Sequence, residues 1–246
     1  MQEYAWFAAG LAVVVACTLG LAHWARLGLG WLPGTALLRA AIQLTVIALL
    51  LRGILALPWT VFLFVVLMLS TASWTAMARL REIHHGRRTA VVGVLVGSLT
   101  AIGLVFALRL VNWEARYLIA VAGILVGNAM SAATLAGRNF ARGSRAGAGV
   151  IEGWLALGAT PGQAHDEIGR EAARESLIPT LDQSRATGLV TLPGAFVGAL
   201  FGGASPAVAA QFQLVVLAGI ALAMTVTAVI VTRLAGRTPY VLIDSA

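Results

Sequence analysis

Long apolar runs are the feature that most constrains what this chain can fold into. Seven runs of about 18 to 26 residues follow one another, and each is long enough to cross a hydrocarbon core as a helix. A helix is also favoured because it satisfies its own backbone hydrogen bonds in lipid. The sequence therefore predicts an all-α polytopic membrane protein, a single transmembrane domain over residues 1–246. Its seven spans are residues 4–22, 32–51, 58–77, 89–108, 117–135, 187–204 and 207–232.

Composition excludes the main alternatives to a membrane protein. Hydrophobic residues make up 59% of the chain and charged residues only 11%, whereas soluble domains average about 25% charged. The net charge of +7 comes from arginines scattered between apolar runs. Because they form no stripe with aromatic residues, we expect membrane lipid as a partner and no nucleic acid. Cys17 stands alone, so no disulfide framework is expected.

The distribution of arginine predicts how the chain is oriented. One set of connections holds only Arg52, Arg109 and Arg116, while the other loop and terminal arginines fall on the opposite side. Since basic loops remain in the cytoplasm, this indicates a multi-pass protein of the plasma (cell inner) membrane. The N-terminus is expected outside and the C-terminus in the cytoplasm.

The only long polar segment covers residues 136–186, between the fifth and sixth predicted spans, and it carries six arginines and six acids. We expect it to be a cytoplasmic helical segment with a tight corner. Gly158 suits a left-handed position that ends a helix. Thr160 can cap the next helix, and Gln163 completes a capping box with it. Pro161 fits the first position of that helix.

The second helix of this corner is predicted to be amphipathic and exposed on one face. Ala164, Ile168 and Ala172 form one stripe, and an ion pair is expected between Asp166 and Arg170. His165 is predicted at the surface, and Pro179 is predicted to end the helix. The pattern leaves two interpretations open, a docking surface or a solvated loop helix. The residues assigned to docking are Glu152, Leu157, Gly158, Ala159, Thr160, Pro161 and Gln163.

Polar residues inside the spans are candidates for a substrate pathway, because they are costly in lipid. Each also has a purely structural explanation. The Arg39 side chain can extend to the membrane interface, an amide can hydrogen-bond a neighbouring helix, and Pro193 can kink a helix. No span combines carboxylates, histidines or thiolates, so no metal site is predicted. The candidates are Arg39, Gln43, Asn128, Met130, Ser131, Pro193 and Gln211, which is followed closely by Gln213.

Small residues at a spacing of four predict close helix packing. Gly194, Gly198 and Gly202 form a double ladder in the sixth predicted span, which we expect to pack within the bundle or across a dimer. The pairs of glycines at 93/97 and 123/127 are single motifs and give a weaker signal.

Four motifs resemble the FetB-type integral membrane permeases of ABC transporters, a family that includes plant aluminium-tolerance permeases. The motifs occur in the same order as in the family and cover most of the chain. They are LLRAAIQL (37–44), GILVGNAMSAATLA (123–136), LALGATPGQA (155–164), and TGLVTLPG with GGASPAVAAQFQ (187–213).

The resemblance implies a homodimeric permease, itself not an enzyme, that works with a separate cytoplasmic ABC ATPase in iron export and metal resistance. The chain contains no lysine, so it lacks a GxxxxGK[ST] phosphate loop, and ATP would be bound by the partner with no cofactor held directly. Glu152 and Gly158 have the spacing of the coupling loop in ABC permeases. Gly153 and Trp154 depart from its two alanines.

Substrate identity stays open at this stage. Phe196, Val197 and Ala199 stand where the family often has Met, Thr or Ser, and Gln. The alternatives are a permease for a lipid or nucleotide sugar, and a membrane scaffold or sensor that does not transport. An ion-driven secondary transporter is disfavoured, because no span interior carries an acid or histidine.

Overall fold

The protein is entirely helical in the part that the structure describes. This computed structural model describes residues 2–56, 58–83 and 85–238. Apart from one isolated bridge between Thr187 and Thr191, those residues form no β-structure. The all-α prediction is confirmed. The helices are α1 (Gln2–Trp24), α2 (Leu32–Ala56), α3 (Pro58–Arg79), α4 (Gly86–Ala107), α5 (Ala115–Ala146), α6 (Ala148–Ala156), α7 (Pro161–Ala164), α8 (Asp166–Ala186), α9 (Gly194–Phe201) and α10 (Pro206–Ala235).

Six of the described helices, α1 to α5 and α10, are long and apolar enough to cross a membrane. The prediction that residues 187–204 form the sixth of seven spanning helices is wrong. This region contains α9, whose 8 residues cover only about 12 Å. Pro193 precedes α9 without an N–H to donate, and Gly203, at φ 89°, follows it in a left-handed turn. Local proline and glycine chemistry therefore shortens the helix.

The first compact unit covers Met1–Leu57 and contains α1 and α2. The two helices meet where Gly34 allows a close approach, since a Cβ there would lie 3.6 Å from Leu19 Cδ1. Most of their apolar side chains are exposed, including Trp6 and Trp24. Such surfaces are stable in lipid, where the hydrophobic effect does not penalise them.

The second unit, Pro58–Ala246, has α5 and α10 at its centre. Helix α10 packs along α4, α5, α8 and α9, while α3 covers α4 and α5. Leu125 and Val231 are completely buried between these helices. Helix α5 extends to Ala146, past the predicted end of its span at residue 135, because Phe140 and neighbouring small residues continue the buried face.

The close glycine contacts lie between α4 and α10. A Cβ on Gly97 would fall 2.0 Å from Thr227 Oγ1 and 2.7 Å from the backbone oxygen of Ala223, so only glycine fits. The predicted ladder behaves differently. A Cβ on Gly194 or Gly198 would meet nothing within 4 Å, and one on Gly202 would meet only backbone of its own segment. The ladder therefore makes no close contact with another described helix, and its packing across a dimer stays a prediction.

Helix α8 runs back along α5 and α10, antiparallel to both. Near its start, Gly169 faces Thr232 and Ile168 faces Gly143, and near its end Ser184 lines the same cavity as Asn128. The prediction that Pro179 ends the helix is wrong. Buried alanines and serine along α8 favour continuing the helix, and this packing outweighs the cost of about 3 kcal/mol for an internal proline.

Candidate functional site

The helical corner, defined as residues 152–164, is built by backbone chemistry at the end of α6. Gly158 has φ 88° and its N–H donates to the Leu155 carbonyl at 3.0 Å, while the Ala159 N–H donates to the Trp154 carbonyl at 3.0 Å. This pair of bonds is a Schellman motif, which satisfies the last carbonyls of a helix. The predicted helix stop at Gly158 is confirmed.

The start of the next helix after the corner is also as predicted. The Gln163 N–H donates to Thr160 Oγ1 at 3.4 Å, and the Thr160 N–H donates to Gln163 Oε1 at 2.9 Å. Pro161 occupies the first helical turn of α7. Both bonds of the capping box are therefore present, and these local bonds fix the shape of the corner.

The outer face of the corner is exposed and partly apolar. Leu157 is 83% exposed and Trp154 is 54% exposed, and Glu152 stands on the same exposed helix. An open groove of about 710 Å³ lies beside them, with Thr160 and Gln163 among its walls. Large apolar side chains that face outward next to polar groups are typical of an interaction surface.

The inner face of the corner is anchored by His165, which is only 2% exposed. Its Nδ1 lies 2.8 Å from the Pro161 carbonyl oxygen, and its ring stacks on Phe140 of α5 at 5.7 Å between centroids. A Cβ on Gly236, after α10, would lie 3.2 Å from the His165 Cβ. The prediction of a surface histidine is therefore wrong, because the adjacent α5 and α10 cover this position.

The amphipathic stripe after the corner is confirmed. Ala164 and Ala172 are buried and Ile168 is half-buried. On the opposite, exposed face, Arg170 and Asp166 form the expected ion pair at 3.2 Å. Such exposed pairs add little stability, so the buried stripe is what holds α8 against its neighbours.

A second feature, the polar cavity, lies where α8 ends and α9 begins. Its volume is about 240 Å³, and it is enclosed by α5, α8, the 187–193 connection, α9 and α10. Asn128, which helps to line it, stands about 20 Å along α5 from the start of that helix. Its other polar side chains are Thr180, Gln183, Ser184, Thr187 and Gln213.

Of the predicted pathway residues in this unit, the structure brings together Asn128 and Pro193, which both line the cavity. Met130 packs against the apolar core, and the Ser131 hydroxyl donates to the Gly127 carbonyl of its own helix. Gln211 is exposed. Met130 and Gln211 do not line this cavity, and their part in a substrate pathway stays a prediction. Arg39 and Gln43 lie exposed on α2, in the first unit.

Gln213 replaces Gln211 as the buried amide of α10. It is 5% exposed, and its Oε1 accepts a hydrogen bond from the Phe196 N–H of α9 at 3.1 Å. This N–H belongs to the first turn of α9, where no carbonyl of the helix itself can serve as acceptor. Gln213 therefore caps the first turn of α9, through a residue 17 positions earlier in the chain.

The cavity residues of α8 were missed by the sequence prediction, although a signal was present. Thr180, Gln183, Ser184 and Thr187 follow the i, i+3, i+4, i+7 spacing of one helical face. The expected helix end at Pro179 concealed this face. Once α8 continues past the proline, the four polar side chains align toward α5 and α10.

Metal-ligating side chains do not gather anywhere in the described ranges. No group of three or more His, Cys, Asp or Glu residues there is placed to hold an ion. His84 lies outside the described residues, and neighbouring Glu82 pairs with Arg145 at 3.1 Å. None of the described side chains that line the cavity is ionisable.

Comparison with known proteins identifies the family. The profile described as "Uncharacterised protein family (UPF0014)" matches residues 6–240. The UPF0014 membrane protein STAR2 of Oryza sativa subsp. japonica is 37% identical over 90% of this chain and 78% of its own. The protein ALUMINUM SENSITIVE 3 of Arabidopsis thaliana is 35% identical over 80% of this chain and 72% of its own.

A bacterial relative carries a functional name. The probable iron export permease protein FetB of Escherichia coli (strain K12) is 31% identical over 72% of this chain and 70% of its own. No solved structure matches. The resemblance to FetB-type proteins is confirmed, and the chain is a polytopic membrane protein that belongs to the UPF0014 family.

Proposed function

We propose that this chain is the permease subunit of an ABC transporter and that a separate cytoplasmic ATPase drives it. The observation that carries the proposal is the helical corner. It is rigid, exposed on its apolar outer face through Trp154 and Leu157, and tied to the bundle through His165. A surface built this way can bind a partner and transmit the partner's movement to the helix bundle.

Helix α8 connects the corner with the polar cavity. It begins beside His165, continues for 21 residues or about 30 Å, and ends at the cavity wall near Ser184. Because α8 is one continuous helix with an internal proline, a displacement of the corner is transmitted along it with bending at Pro179 and changes the shape of the cavity. Closure of an ATPase on ATP would supply that displacement, and ATP would be held by the partner alone.

We further propose that transport is export linked to iron or another metal. The support is the relative that carries the name probable iron export permease. The 240 Å³ cavity favours a small substrate over a lipid or a nucleotide sugar, because sites for drug-sized molecules run from about 300 to 1,000 Å³. In this proposal two copies of the chain form a dimer in the inner membrane, with the corner facing the cytoplasm.

The proposal is tested by pairing the chain with candidate ATPases. The full chain is co-expressed with each ABC ATPase of its source genome, and co-purification and ATP hydrolysis are measured. We expect one ATPase to bind and be stimulated. Gly158→Leu should abolish both effects, since Leu cannot easily adopt φ 88°.

Gly149→Leu is the matched control for this test. Gly149 is exposed on α6 with open space around its Cα, and it should retain recruitment of the ATPase. If Gly158→Leu retains recruitment as well, the coupling role of the corner is wrong. If no ATPase binds the unaltered chain, a scaffold or sensor without transport becomes the better account.

A further inference from the structure

The polar cavity contains hydrogen-bond donors that have no partner among the described residues, beside the oxygens of Asn128, Ser184 and Thr187, whose own donors bind backbone carbonyls. The Phe196 N–H donates to Gln213 Oε1, and this bond orients the amide so that its Nε2 faces the other way. Gln213 Nε2 donates to no group among the described residues. The Thr180 hydroxyl and the Gln183 amide likewise make no hydrogen bond there. A buried amide that keeps a free donor at a cavity wall indicates a ligand that can accept it.

The first turn of α9 adds backbone donors to the same wall. Gly194 and Ala195 line the cavity, and their N–H groups precede the first acceptor available within α9. The start of a helix also carries a partial positive charge. Broken helices of membrane transporters use such half-helix starts to bind anionic groups of substrates.

Charge in the surroundings does not oppose an anion. The nearest ionisable residues on α8 are Asp182 and Arg185, and they pair with each other at 3.2 Å on the exposed side. A bare cation, by contrast, would find no carboxylate, imidazole or thiolate in the cavity wall and would face the positive end of α9.

We propose that the polar cavity binds a small organic carboxylate, with Gln213 and the start of α9 as its donors. This inference rests on the proposed function, because it names the substrate chemistry of the permease. If a metal ion passes through the cavity, it does so as a carboxylate complex. The volume of about 240 Å³ is in keeping with a small solute.

The test is binding of radiolabelled citrate to the purified full chain in lipid nanodiscs, alone and with ferric iron, beside a separate arm with ferrous iron alone. We expect saturable citrate binding. Gln213→Glu should lower it about tenfold or more, because Glu retains the oxygen that accepts from Phe196 but lacks the Nε2 donor and, when ionised, repels the ligand. Thr180→Val, which removes a free hydroxyl, should lower binding several-fold.

Gln211→Glu is the matched control, since this residue is exposed two positions away on α10 and outside the cavity. It should bind citrate like the unaltered chain. Absence of saturable citrate binding overturns the inference, and so does saturable binding of ferrous iron alone to the unaltered chain that Thr180→Val weakens. Equal losses in Gln213→Glu and Gln211→Glu overturn it too, because they would indicate a general effect of charge.

The outcomes separate this inference from the proposed function. Citrate binding is measured on the chain without an ATPase, and recruitment of the ATPase is measured on the same preparations of Gln213→Glu. Recruitment without citrate binding rejects the cavity ligand only. Citrate binding without recruitment of any ATPase rejects the ABC permease assignment only.

Discussion

The hydroxyl of Thr227 on α10 donates a hydrogen bond to the carbonyl oxygen of Gly93 on α4, at 3.1 Å, and this bond is completely buried. It joins residues separated by 134 positions. Gly97, one turn further along α4, lies against the same threonine. In lipid, where apolar burial gains little, such close contacts and buried bonds hold helices together.

Substitution of Gly97 by leucine should separate α4 from α10. The added side chain meets the backbone of Ala223 as well as Thr227, and backbone cannot rotate away. We expect a loss of about 2–3 kcal/mol in stability, measured as a lower thermal midpoint in detergent. Gly103→Leu should leave the midpoint nearly unchanged, because that position has open space. Equal shifts in the two variants would contradict the packing role of Gly97.

Loss of the capping box should loosen the corner without unfolding the bundle. Thr160→Ala removes the acceptor for the Gln163 N–H, at an expected cost of about 1 kcal/mol. Hydrogen exchange at residues 162–165 should become faster. Thr225→Ala is the control, since Thr225 donates only within its own helix, to Ala221. Unchanged exchange in Thr160→Ala would show that the cap does not stabilise the corner.

The ring of His165 should be necessary for the corner to stay attached to α5. His165→Ala leaves a hole beside Phe140, and we expect it to cost about 2–4 kcal/mol. His165→Phe keeps the ring stacking and loses the contact with the Pro161 carbonyl, at about 1 kcal/mol. Hydrogen exchange across α7 and the start of α8 distinguishes the two. If the alanine variant is as protected as the phenylalanine variant, the anchor is elsewhere.

Removal of the proline inside α8 should stabilise the protein and impair its proposed movement. Pro179 is exposed and interrupts the backbone bonds of α8 between the charged half and the cavity half. Pro179→Ala should raise stability by about 1–3 kcal/mol and lower the stimulation of a bound ATPase. Glu175→Ala, also exposed on α8, should do neither. A stabilised variant with normal stimulation would argue against bending at Pro179.

Structure that depends on neighbours within about four residues was readable from the sequence. The left-handed Gly158, the capping box of Thr160 and Gln163, and the pair of Asp166 with Arg170 all form within one or two helical turns. The apolar runs likewise predicted a polytopic helical protein, because lipid accepts few backbone arrangements.

The tertiary structure decided which of several similar glycine motifs makes a close helix contact and which of two glutamines is buried. Sequence spacing favoured the Gly194 ladder over Gly97, and nothing local separates Gln211 from Gln213. These choices depend on partners from distant helices. Packing against α5 and α10 also carried α8 past Pro179, outweighing the local preference of that residue. Short-range hydrogen bonds are therefore determined by the sequence itself, whereas burial is determined only when remote helices meet.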